Sequence, residues 1–242
     1  MYNTMATVIP KIPVSEYVTK SVQWMTEKFS FIFNPIKEHF GNLMDFISNL
    51  LAYIPPVVFI LLIALLAFFL TGRKFGLAAF SIVGLWFIHN QGYWDEMLST
   101  ITLVIIASLL SIIIGVPIGI LMSKSKIATV IITPILDFMQ TMPAFVYLIP
   151  AVAFFGIGMV PGVIASLIFA TPPTVRFTNL GIRQVSEELV EAADAFGSTG
   201  AQKLFKVELP MARPTIMAGI NQTVMLSLSM VVIASMIGAP GL

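Results

Sequence analysis

Long apolar runs separated by short polar breaks dominate the chain. Residues 53–70 are almost continuously apolar, and comparable runs cover 75–88, 101–122, 127–155, 163–180 and 214–237. About 20 such residues carry a helix across a bilayer, so each run predicts a transmembrane helix, the one at 75–88 being short. Gly115, Pro117 and Gly119 interrupt the third run and predict bending or close packing. The fourth run is too long for one straight crossing and contains Pro134, Pro143 and Pro150. A break is predicted at Gln140-Thr141-Met142-Pro143, with a second piece running on to an uncharged external turn at 156–162.

Residues 1–50 follow a different pattern. Val18, Val22, Met25, Phe29, Ile32, Ile36, Phe40, Leu43, Ile47 and Leu50 recur at steps of three and four, while Lys20, Glu27, Lys28, Lys37, Glu38 and Asp45 fill the other faces. That is the helical period, and Pro35 is expected to break or kink the run. Two placements suit such a helix: in the plane of the membrane interface, or packed against the protein's own spans.

Charge orients the spans. Arg73 and Lys74, Lys124 and Lys126, and the basic residues between Arg176 and Arg213 fall at ends that alternate along the chain. The excess of Lys and Arg in short cytoplasmic loops therefore puts the loop around Glu191 in the cytoplasm and the N-terminal tail outside. The tail's lysines are matched by acids, and long segments obey the rule weakly. Asp95 and Glu96 are expected in an external loop, beside an aromatic belt of Trp86, Tyr93 and Trp94.

Composition agrees. Hydrophobic residues make up 57% of the chain and charged residues 10%, against about 25% charged in soluble domains; the chain is an all-α integral membrane protein. A net charge of +1 argues against a nucleic-acid partner. With no cysteine and two isolated histidines, His39 and His89, neither a disulfide nor a metal site is expected. Residues 1–11 lack the basic start and apolar run of a secretory signal. No G-x-x-x-x-G-K-[ST] occurs, so the chain has no phosphate loop of its own.

The polar exception is 191–210, EAADAFGSTGAQKLFKVELP. Ser186 is read as the N-cap of a helix through Phe196, with Glu187 and Glu188 in its favourable first turn. Gly197 suits the left-handed position after that helix. Thr199 and Gln202 read as a capping box opening a second, short helix, which Pro210 is expected to stop, with Pro214 early in the next one. A helix, a glycine corner and another helix make a docking element that offers Leu189, Ala192, Ala193 and Phe196 to a groove on a soluble partner. An amphipathic loop resting on the membrane surface would carry the same local signals.

The spacing Glu191-Ala192-Ala193, three residues, Gly197, nine residues, Val207, one residue, Leu209-Pro210 resembles the EAA signature of permease subunits of bacterial ABC importers, with Val207 where isoleucine is usual. MQTMPAFVYLIP (139–150) and GINQTVMLSLSMVVIASMIG (219–238) resemble more narrowly the permeases for glycine betaine, proline betaine and related compatible solutes. The likeness covers roughly 94–242. It implies a type I importer bundle whose core is 94–242, with two accessory spans at 51–93 and the amphipathic extension at 1–50. Loop 184–213 would be the coupling element seated in a cytoplasmic ATPase through Glu191, Ala192, Ala193, Phe196, Gly197, Leu209 and Pro210. The resemblance further implies a second permease copy enclosing the pathway, ATP and Mg bound by the ATPase partner alone, and an external substrate-binding protein. In related permeases the point reached at Leu242 is a turn before another span, so a further span, or a fused receptor domain, is expected beyond it. The implied setting is a bacterial cell membrane and the implied role osmoprotection.

Asp137 is the carboxylate inside a predicted span, and intramembrane charge is costly enough to suggest function. One reading makes Asp137, Gln140, Thr141, Met142, Pro143, Phe145 and Tyr147 a gate or pathway lining, where aromatic faces could meet a quaternary ammonium. The other has Asp137 cap a helix, pair with a basic residue or lie at the interface. Asn221 on the last span is a further pathway candidate, although Asn221, Gln222, Thr223, Ser227 and Ser229 suit helix packing equally. A permease for another small solute such as methionine, or a passive channel or scaffold, is the competing function. A scaffold has no need of the Glu191 to Gly197 spacing, and no Ser–His or metal-ligand arrangement supports an intramembrane enzyme.

Overall fold

The computed structural model describes residues 13–236, 238–239 and 241. Residues 1–12 of the amphipathic extension and Ile237, the expected end of the last span, lie outside the described residues. Helices follow one another with short connections: α1 Val14–Lys28, α2 Ser30–Ala52, α3 Pro56–Leu70, α4 Phe75–Asn90, α5 Trp94–Lys124, α6 Lys126–Thr141, α7 Phe145–Phe155, α8 Met159–Arg183, α9 Glu187–Ala195, α10 Gly200–Lys203, a π-helical turn Leu204–Glu208, and α11 Leu209–Ser235. Among the described residues three helices are long and apolar enough to cross a membrane singly: Trp94–Lys124, Met159–Arg183 and the continuous Gly200–Ser235. The pairs α2/α3 and α6/α7 also qualify, each bent, by 92° and 97°.

α8 is the centre. It packs along α5 on one side and α11 on the other, and Val163, Ala165, Ser166, Ala170, Thr174, Val175 and Thr178 are fully buried. Small residues let the backbones close up, which matters where lipid removes the usual hydrophobic drive between helices. A Cβ on Gly119 of α5 would lie 2.6 Å from Thr178 Cβ and from the Val175 carbonyl oxygen. One on Gly219 of α11 would lie 2.5 Å from Phe177 Cβ. Hydroxyls join the same seam. Thr223 donates to the Ala170 carbonyl at 2.9 Å and sits 2.7 Å from the Thr174 hydroxyl. Since Thr223 spends its proton on Ala170, Thr174 is the donor in the second bond.

Only part of the extension's apolar stripe finds a protein surface: Ile36, Phe40 and Ile47 pack, whereas Val18, Met25, Ile32, Leu43 and Leu50 are exposed. Met44 is 1% exposed and packs with Leu103, Ile106, Phe155, Val160 and Val163, with Phe33, Ile36, Phe40 and Ile47 around it. Phe33 stacks on Phe154 at 4.8 Å between ring centres. α1 instead exposes Tyr17, Val18 and Trp24.

Several local expectations are corrected. Pro35 does not end the amphipathic helix: the break falls at Phe29, and Pro35 lies inside α2, where its missing N–H costs a single bond to the Phe31 carbonyl. Asp95 and Glu96 are not in a loop but in the first turn of α5, where the exposed N–H groups of a helix start favour acids. The turn expected at 156–162 is shorter. Only 156–158 separate α7 from α8, with Gly156 and Gly158 at positive φ, and Pro161 falls in the first turn of α8, which tolerates a residue without N–H. The break in the fourth run stands where expected, with Met142 extended between α6 and α7.

Candidate functional site

The 184–213 loop is built by helix-end chemistry. α9 starts after Ser186 as the cap rule predicts, but the Ser186 side chain makes no capping bond. Its C-terminus closes in a Schellman arrangement: Gly197 N–H donates to the Asp194 carbonyl at 2.9 Å and Ser198 N–H to Ala193 at 3.0 Å, with Gly197 at φ +76°. Thr199 and Gln202 form the reciprocal capping box, Gln202 N–H to Thr199 Oγ1 at 3.3 Å and Thr199 N–H to Gln202 Oε1 at 2.9 Å. A brace not anticipated in the sequence spans the corner, Lys203 Nζ reaching both Asp194 oxygens at 2.8 Å. The corner between α9 and α10 is thus held from both ends.

What this corner presents is apolar. Phe196 is 90% exposed, and Leu189 and Phe205 of the same loop are exposed as well. Glu191 and Ala192 are also exposed, and Ala193 is half-buried. Solitary exposed apolar residues are ordinary; an aromatic at the tip of a braced corner is the form of an anchor for a partner's pocket.

Pro210 does not stop the second helix. The chain runs on from Gly200 to Ser235, and the π-helical turn Leu204–Glu208 absorbs the proline. Leu209 N–H bonds back to Leu204, five residues away, so the widened turn makes room where the ring would otherwise meet the carbonyl four residues earlier. Leu209 is half-buried and Pro210 exposed.

The widened turn points Glu208 inward, to 4% exposure, where it pairs with Lys124 at the end of α5. Close by, Arg183 at the end of α8 donates to the Met122 carbonyl at 3.1 Å and to Thr129 Oγ1 at 3.0 Å. Sequence reasoning missed Lys124, Glu208, Arg183 and Thr129 as a group. The legible signal was an acid held between Val207 and Leu209, a charge in an apolar setting that needs a partner.

The candidate gate residues are divided by the fold. Asp137 forms an ion pair with Arg176 of α8, one of the alternatives open from the sequence. Gln140, Thr141, Pro143 and Phe145 are exposed along the α6–α7 elbow, and Met142 is half-buried. Tyr147 turns inward, its hydroxyl donating to the Met139 carbonyl across the elbow and its ring lying 6.1 Å from Phe169. Asn221 and Gln222 are exposed on α11, while Gly219, Thr223, Ser227 and Met230 on the same helix are buried. His39 bonds the Pro35 carbonyl and His89 lies against Trp94. Among the described residues no group of His, Cys, Asp and Glu could hold a metal.

With this geometry in view, the relatives are informative. The chain is 59% identical over 236 residues to the glycine betaine/carnitine transport permease protein GbuB of Listeria monocytogenes, covering 97% of this chain and 83% of that protein. It is 51% identical to the glycine betaine transport system permease protein OpuAB of Bacillus subtilis, covering 97% and 82%. It is 47% identical to the glycine betaine/proline betaine transport system permease protein ProW of Escherichia coli, covering 96% and 65%. In structure it is similar to a chain of the inward-facing MetNI methionine ABC transporter, at TM-score 0.54 and 21% identity over 59% of this chain and 72% of that one. That likeness is one of fold alone, an all-α bundle. A family model for the binding-protein-dependent transport system inner membrane component matches residues 111–242. This chain belongs to that family of transporter permeases.

Proposed function

We propose that this chain is the permease subunit of an ATP-driven importer for quaternary ammonium compatible solutes of the glycine betaine and proline betaine class, serving osmoprotection. The observation that carries the reading is near full-length similarity to three permeases whose names share glycine betaine. Two copies of the chain enclose the passage, a cytoplasmic ATPase binds ATP and Mg and supplies the energy, and an external receptor delivers the solute. The 184–213 loop lies in the cytoplasm and the N-terminal tail outside, as the placement of Lys and Arg supports. Glu191, Ala192, Ala193, Phe196, Gly197, Leu209 and Pro210 form the ATPase contact. Their support is the EAA spacing together with the braced, outward-facing corner. The exposed elbow residues Gln140, Thr141, Pro143 and Phe145, with Met142 and Asn221, are the candidates for the passage lining.

The test is co-purification of the subunit with its ATPase, followed by reconstitution with the receptor in proteoliposomes and uptake of labelled glycine betaine. ATP-dependent accumulation is expected; accumulation of another solute class, or none, overturns the reading.

Asp137 belongs to the same assay. It is paired with Arg176 of α8. Asp137→Asn keeps a hydrogen-bond acceptor for the guanidinium. Uptake close to that of the unmodified chain is expected, whereas a large rise in the KM for solute would make Asp137 part of the passage.

A further inference from the structure

We propose that Glu208, Lys124 and Arg183 are positioning residues that tie both legs of the cytoplasmic loop to one corner, the turn between α5 and α6, so that movement of the loop is delivered to the α6–α7 elbow. This rests on the loop being the ATPase contact, as proposed above.

The two legs are the end of α8, which enters the loop, and the π-helical turn, which leaves it. Arg183, the last residue of α8, donates to Met122 and Thr129. Glu208, the last residue of the widened turn, takes Lys124. Met122, Lys124 and Thr129 all belong to the α5–α6 corner. The corner is itself tight. Thr129 Oγ1 lies 2.7 Å from the Met122 carbonyl and 3.0 Å from that of Ser125, and Ser125 caps α6 by accepting from Ala128 N–H at 3.2 Å.

The pairing is asymmetric in a way that fits a tie. Glu208 has a side chain only 5% exposed, whereas Lys124 keeps 42%. A buried carboxylate needs its partner, while the lysine retains water and also meets the negative end of α5. Glu208 is therefore the committed member, and the widened turn that accommodates Pro210 is what aims it inward.

From the corner, α6 runs directly to the elbow, where the chain turns by 97°. Near that end α6 is held again, by Asp137 to Arg176 and by the Tyr147 hydroxyl to Met139. α8 and α11 are joined through Thr174 and Thr223, so the loop's two legs belong to one packed unit. A shift of that unit reaches α6 through the polar ties at its start, and the elbow is the first place where the chain can yield.

The experiment uses the whole transporter in proteoliposomes and reads solute imported per ATP hydrolysed, with retention of the ATPase subunit measured alongside. Glu208→Ala is expected to keep the ATPase bound and hydrolysing while solute per ATP falls roughly fivefold or more, the scale of an energetic coupling between sites. Glu208→Gln, nearly isosteric and still able to accept from Lys124, is expected to lie between the two and guards against a folding defect in the alanine variant. An unchanged ratio in Glu208→Ala and Glu208→Gln with the ATPase bound overturns the proposal. So does a parallel loss of uptake and hydrolysis as the ATPase detaches, which marks a merely structural role. Failure of the loop assignment itself has a different signature: Phe196→Asp then retains the ATPase and imports at the unmodified rate.

Discussion

Replacing Phe196 by aspartate should abolish ATP-driven uptake while leaving the thermal unfolding of the helical bundle unmoved. The two halves of this expectation come from one number. Phe196 is 90% exposed, so in its own chain it buries almost nothing that its loss could release. If the corner is the ATPase contact, the same ring is its foremost apolar anchor. Truncating an interface anchor typically costs 2 kcal/mol or more, about thirtyfold in affinity, and aspartate adds the expense of a carboxylate in an apolar pocket. Phe196→Leu keeps the apolar character and should lose only part of the activity. The measurements are retention of the ATPase on purification, uptake in proteoliposomes, and a melting curve of the permease. Unimpaired uptake by the aspartate variant would remove Phe196 from the contact.

The second large effect is one of stability. Gly119→Ala should lower the melting temperature of the purified permease, whereas Gly84→Ala should leave it unchanged or raise it. Both glycines are helical, and both substitutions add one methyl group. At Gly119 that carbon would stand 2.6 Å from Thr178 Cβ and from the Val175 carbonyl oxygen; at Gly84 it would meet nothing within 4 Å. The α5–α8 seam must open or its side chains leave their rotamers, and overpacking of this kind costs about 1–3 kcal/mol. At Gly84 the gain in helix propensity is about 1 kcal/mol. Circular dichroism melts of the two variants in the same detergent give the comparison. Equal melting temperatures would mean that α5 and α8 do not approach as closely as described.

Legibility in the sequence depended on how local the physics was. Gly197 and the Thr199–Gln202 box were readable because each motif closes within a few residues. The elbow at Met142 was readable because prolines and excess length both demanded it. Pro210 misled for the opposite reason. A proline rule considers the four residues before it, and here a single widened turn absorbs the conflict while packing along α8 keeps the helix going. Ser186 has the right side chain at the right place, yet the bond that would define it as a cap is absent. The ties from Lys124 to Glu208 and from Asp137 to Arg176 join residues far apart in the chain. Nothing in a one-dimensional pattern says which cation answers which acid. The direction of the apolar stripe in α2 was likewise undecidable, since lipid and Phe155 reward the same residues equally.

The uninterrupted run from Gly200 to Ser235 has a geometric corollary. Its 36 residues, at about 1.5 Å each, give a rod about 54 Å long, against a hydrocarbon layer of about 30 Å. Upright in the membrane, nearly half of such a rod stands clear of the oil at any depth of insertion. Pushing sideways on the protruding part tilts the immersed part, as an oar turns about its rowlock.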